Sequence, residues 1–132
     1  MKPEEATRVA GEIRKAGDYR WVGIYEVGPE EISVVGWSGP EAPAHPRFPR
    51  DRGLCGAAAA SGATLIVEDV TKDPRYLTTL GSTRSEMIVP VKRPGGEVVA
   101  LIDVESEHVD AFTPLDVRLL EGWASQLARL LS

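Results

Sequence analysis

The chain has 132 residues, 42% of them hydrophobic and 27% charged, which suits one soluble domain able to bury about two-thirds of its unfolded surface. Fifteen Lys and Arg against twenty Asp and Glu leave a net charge of −5, which argues against nucleic acid as a partner because phosphate binding needs a basic footprint. No apolar run approaches the roughly 18 residues of a membrane span. The N-terminus lacks the hydrophobic core of a signal peptide, so the cytoplasm is the expected compartment.

Ala6, Val9, Ala10 and Ile13 recur at helical spacing, predicting an amphipathic helix over residues 3–16. Glu4 and Glu5 at its start and Arg14 and Lys15 near its end suit the helix dipole. Residues 19–26 are aromatic and β-branched, hence a strand; a turn at Gly28-Pro29-Glu30 returns the chain along residues 32–37 as a hairpin. Residues 38–52 hold four prolines and no hydrophobic period, which predicts a long loop that covers something. Gly53 opens a short alanine-rich helix, suited to close packing on a sheet, and residues 64–68 make a short strand. A second loop follows over 69–82, with Asp73-Pro74 as a turn signal. Strands over 87–92 and 97–105 join around Pro94-Gly95-Gly96. Thr113, Pro114 and Asp116 form a capping-box start for a last helix reaching Leu131. The order α-β-β-α-β-β-β-α is that of an α+β domain, an antiparallel sheet with helices packed on it.

The chemistry concentrates in Ile102-Asp103-Val104-Glu105. Side chains alternate along a strand, so Asp103 and Glu105 share a face at the end of an apolar run. Hairpin pairing brings Glu86 beside them. Three converging carboxylates repel unless a cation, a proton or a donor lies between them; the alternative is a solvated strand end with Glu86 facing water. The two histidines, His45 and His108, sit in separate loops without metal-type spacing, so no metal or cofactor is expected. An ammonium or guanidinium group on a small ligand suits the acids better. Trp21 and Tyr25, four apart on one strand, either wall a pocket or fill the core. The single cysteine, Cys55, excludes an intramolecular disulfide. It begins a helix just after Arg52: a reactive thiolate, or a small buried side chain.

Trp21-Val22-Gly23-Ile24-Tyr25, Arg52-Gly53-Leu54-Cys55-Gly56-Ala57-Ala58, Val67-Glu68-Asp69-Val70, Ser82-Thr83-Arg84-Ser85-Glu86 and Leu101-Ile102-Asp103-Val104-Glu105-Ser106 together resemble a GAF domain. More narrowly they resemble the free methionine-(R)-sulfoxide reductases. The resemblance implies one GAF domain over residues 1–132, with a sheet of five to six strands. Its first and last helices would pack on one face, and loops would cover a small-molecule pocket on the other. It further implies that Glu86, Asp103 and Glu105 hold a free amino acid against Trp21 and Tyr25, with Glu105 standing where that family usually has Asp. The family's attacking cysteine falls by spacing on Thr79 and its partner on His45; Cys55 matches a different family cysteine. A threonine hydroxyl cannot do thiolate redox chemistry. The expected function is therefore amino-acid binding without disulfide-based catalysis; the alternative is a reductase working through Cys55 as its catalytic residue. The broad apolar surface of residues 115–131, joined by helix 3–16, predicts a homodimer.

Overall fold

The computed structural model describes residues 1–131. Helix α1 (Pro3–Gly17) is followed by strands β1 (Trp21–Val27), β2 (Glu31–Ser38) and β3 (Arg47–Pro49). Helix α2 (Gly53–Ser61), strand β4 (Leu65–Val67), a 3-10 turn (Val70–Lys72), strands β5 (Ser85–Lys92) and β6 (Val98–Ser106) and helix α3 (Pro114–Leu131) complete the chain. The strands form one six-stranded sheet in the order β3-β2-β1-β6-β5-β4, with every pairing antiparallel. This is the α+β architecture expected from the sequence, with one strand more than the chain-order reading supplied. The addition is β3, inside the proline-rich segment. Only three residues long, it pairs with β2 on the sheet's edge, Phe48 opposite Ile32, where missing proline N–H groups cost nothing.

Helices α1 and α3 cover one face. Ala6, Val9, Ala10 and Ile13 of α1 and Leu120, Ala124 and Leu127 of α3 pack with Val22, Ile24, Met87, Val89, Ile102 and Val104. The α1 backbone seats directly on β2: a Cβ on Gly36 would stand 2.4 Å from the Thr7 nitrogen. The capping box forms, Thr113 donating its N–H to Asp116 Oδ2 at 2.8 Å. The other oxygen of Asp116 accepts from the Tyr19 hydroxyl at 2.7 Å, tying α3 to the segment before β1. Among the described residues no helix is long and apolar enough to cross a membrane.

The opposite face carries a second core. Trp21, Tyr25, Ile88 and Leu101 project from the strands, and α2 lays Leu54, Cys55, Ala58 and Ala59 on them. The alanines permit that close approach. The segments before α2 and before β5 close over what remains, joined by a hydrogen bond from the Ala44 N–H to the Thr79 carbonyl at 3.0 Å.

Candidate functional site

Register alone gathers the acids. Glu86 of β5 lies directly opposite Glu105 of β6, Ile88 opposite Asp103, and on the other side of β6 Trp21 and Gly23 of β1 face Glu105 and Asp103. All six positions, with Tyr25, share the α2 face. Glu86, Asp103 and Glu105 are only 3%, 1% and 0% exposed, so the solvated-strand-end alternative is overturned. The sheet's end is not a rim, because α2 and the covering segments lie over it.

Asp103 sits between Glu86 and Glu105 in one buried cluster, each acting on the others' titration, an arrangement that holds only if carboxyl groups keep protons or a cation joins them. Burial, then the neighbouring Glu105, pushes Glu86 well above the ordinary carboxyl range. Burial and Glu86 do the same to Asp103. Burial and Asp103 raise Glu105, opposed by the hydroxyls of Thr79 and Thr83. Thr83 donates to Glu105 Oε1 at 2.7 Å. Asp103 Oδ1 and Glu105 Oε2 are buried without a donor. Among the described residues no ion pair reaches any of the three acids. Uncompensated buried oxygens are costly in a resting protein, which makes them a mark of a missing partner.

Trp21 and Tyr25 are fully buried, their rings 6.4 Å apart and tilted by 47°. Gly23 between them makes this possible: a Cβ there would meet the Trp21 ring at 2.4 Å and Tyr25 at 3.0 Å. Trp21 donates its indole N–H to the Glu41 carbonyl at 3.1 Å, anchoring the covering segment. Both aromatics are thus core residues and neighbours of the acids at once.

Cys55 lines a small, partly enclosed cavity of about 10 Å³ together with Tyr25, His45, Thr79, Glu86 and Asp103, about the room of one water. His45, Cys55 and Thr79 therefore border one space. Burial, then Asp103 and Glu86, raises the Cys55 thiol well above its ordinary range, which suits a small buried thiol better than a resting thiolate. The Arg52 side chain makes no cap to α2, and the acids outweigh it. Cys55 Sγ and one oxygen each of Glu86 and Asp103 lie within 4.8 Å of one another; no sequence spacing announced this set. Roomier grooves of about 320 and 460 Å³ lie elsewhere, but neither is lined by a buried charged residue.

A six-stranded antiparallel sheet, helices on one face and a covered polar pocket on the other, defines a GAF-type domain. A profile of the GAF domain family matches residues 4–132, and the chain belongs to that family. A type II free methionine-R-sulfoxide reductase from Thermoplasma acidophilum superposes with a TM-score of 0.90 at 27% identity, covering 97% of this chain and 90% of that one. The Neisseria meningitidis free methionine-R-sulfoxide reductase, in complex with its substrate, gives 0.86 at 31% identity over 96% of this chain and 75% of that one. The free methionine-R-sulfoxide reductase of Saccharomyces cerevisiae is 32% identical over 120 residues, 89% of this chain and 63% of the yeast protein. The protein is thus a GAF domain related to free methionine-R-sulfoxide reductases.

Proposed function

We propose that this domain binds a free amino acid or a closely related metabolite, holding its ammonium group among Glu86, Asp103 and Glu105 with Trp21 and Tyr25 as the apolar wall. The observation that carries this reading is the pair of buried, donorless oxygens on Asp103 and Glu105. An ammonium brings three N–H donors and one positive charge, which supplies both missing hydrogen bonds and offsets the charge the cluster retains. An anionic ligand such as a cyclic nucleotide would meet repulsion instead. A cavity of about 10 Å³ is far too small for an amino acid, so the covering segments lift as the ligand arrives. The test is calorimetric titration with methionine and with methionine-(R)-sulfoxide. Asp103→Asn, which removes a charge-assisted hydrogen bond, should weaken binding by about tenfold or more. Unchanged affinity in that variant would remove the carboxylates from the account.

A second reading, reduction of methionine-(R)-sulfoxide through Cys55, is favoured by one observation: the thiol borders the same cavity as the acids. Sulfur attack would form the S–S bond to substrate while a neutral carboxyl protonates the sulfoxide oxygen. That oxygen would end on Cys55 as sulfenic acid as methionine departs, and two external thiols would restore the thiol with release of water. Against it stands the protonated resting thiol. Single-turnover conversion with dithiothreitol, lost in Cys55→Ser, is its signature.

A further inference from the structure

The cavity as it stands admits one small particle, and its lining has the chemistry of a metal site. Cys55 Sγ and an oxygen each of Glu86 and Asp103 lie within 4.8 Å of one another, all three residues buried. A four-coordinate ion with bonds of about 2.0–2.3 Å sets its ligand atoms about 3.3–3.8 Å apart, so small rotations of these side chains complete three sides of a tetrahedron. Asp103 Oδ1, on a side chain 1% exposed, has no donor, and Glu105 Oε2 beside it is equally bare. We propose that Cys55, Glu86 and Asp103 bind a single thiophilic divalent cation of the zinc class, and that this ion competes with the ammonium ligand for the two carboxyls. The ion site stands on its own geometry; the competition rests on the amino-acid reading above.

The donor set selects the ion. A thiolate with two carboxylates suits zinc or cadmium, whereas calcium takes six to eight oxygens and magnesium keeps several waters, for which the cavity has no room. The fourth position falls to a water or to Glu105, which Thr83 already orients through its 2.7 Å hydrogen bond. Binding breaks the S–H bond and displaces the carboxyl protons to solvent as the metal–sulfur and metal–oxygen bonds form, so it releases protons and weakens at low pH. No electron is transferred. Access needs the covering segment at Thr78 and Thr79, which borders the cavity, to lift, as it must for the amino acid.

The experiment uses the full chain after chelator treatment, titrated with cadmium and followed by the ultraviolet cadmium–thiolate charge-transfer band, and with zinc against a chromophoric chelator. One equivalent of cadmium should develop the band, and Cys55→Ser should abolish it. Glu86→Gln, which keeps the thiol and serves if the serine variant folds poorly, should weaken zinc by about tenfold or more. No band in the native sequence overturns the site, as does zinc affinity unchanged in both variants. Methionine should raise the apparent zinc dissociation constant. Zinc binding indifferent to methionine overturns the competition, and a parallel titration of the metal-free protein with methionine alone shows whether the amino-acid reading stands.

Discussion

Strand β6 serves two regions that follow opposite rules. Ile102 and Val104 face α1 and α3 in a wholly apolar layer, while Asp103 and Glu105, one residue further along each time, face α2 and the covering segments with buried charge. Burial is equally complete on both sides; what differs is whether the buried atoms find partners. The helix side satisfies itself, by methyl contacts and by the Thr113–Asp116–Tyr19 ties. The α2 side is left with bare oxygens, and such deficits, stored where a ligand fits, convert stability into affinity.

The largest break in this comparison comes from the helix side. Ile102→Ala leaves a cavity in contact with both helices and should cost about 2–5 kcal/mol of folding free energy, read as a lowered urea midpoint. Methionine affinity of the remaining folded fraction should stay unchanged. An affinity lost in proportion to stability would mean that the two faces are not separable. A middling effect is expected at Gly23, on the other face. Gly23→Ala presses a methyl into Trp21 and Tyr25, and overpacking of this kind costs about 1–3 kcal/mol. Here affinity should fall along with stability, because the displaced rings are the proposed wall.

These two regions were unequally legible in the sequence. The helix side follows from periodicity: Ala6, Val9, Ala10 and Ile13 at helical spacing, and Leu120, Ala124 and Leu127 on the last helix, mark the buried faces of both helices without tertiary information. Alternation also put Asp103 and Glu105 on one face, and the hairpin brought Glu86 to them. What spacing could not supply was depth. Whether a strand end is wet depends on segments 38–52 and 69–84, held by contacts such as Ala44 to Thr79 and Trp21 to Glu41 that no local pattern encodes. The same ignorance hid β3, whose ladder to β2 is a tertiary event, and left the chemistry of Cys55 open between thiolate and buried thiol. The arginine beside it in sequence mattered less than three acids distant in sequence.

The smallest expected effect discriminates most sharply, because its sign differs from that of an ordinary core substitution. Glu86, Asp103 and Glu105 hold protons in the native state at pH values where the unfolded chain has released them. For acids whose native pKa is raised, the unfolded state binds fewer protons above the unfolded carboxyl range near 4, so stability falls as pH climbs from there. The ligand-free protein should therefore melt at a higher temperature at pH 5 than at pH 8. Asp69 and Asp73, lowered by hydrogen bonds from Thr71 and Arg75, lose their stabilising effect only as pH falls through the ordinary carboxyl range and leave the window from pH 5 to pH 8 to the buried acids. The informative quantity is the difference between the native sequence and Asp103→Asn. Removing one acid relieves the cluster, and the amide can donate to a neighbouring carboxylate. The variant should be more stable by about 1 kcal/mol at pH 8, with a shallower pH dependence, while binding methionine less well. A variant destabilised at pH 8 would show that Asp103 stabilises the empty protein, and the distinction between a self-satisfied face and a waiting one would then fail at its central residue.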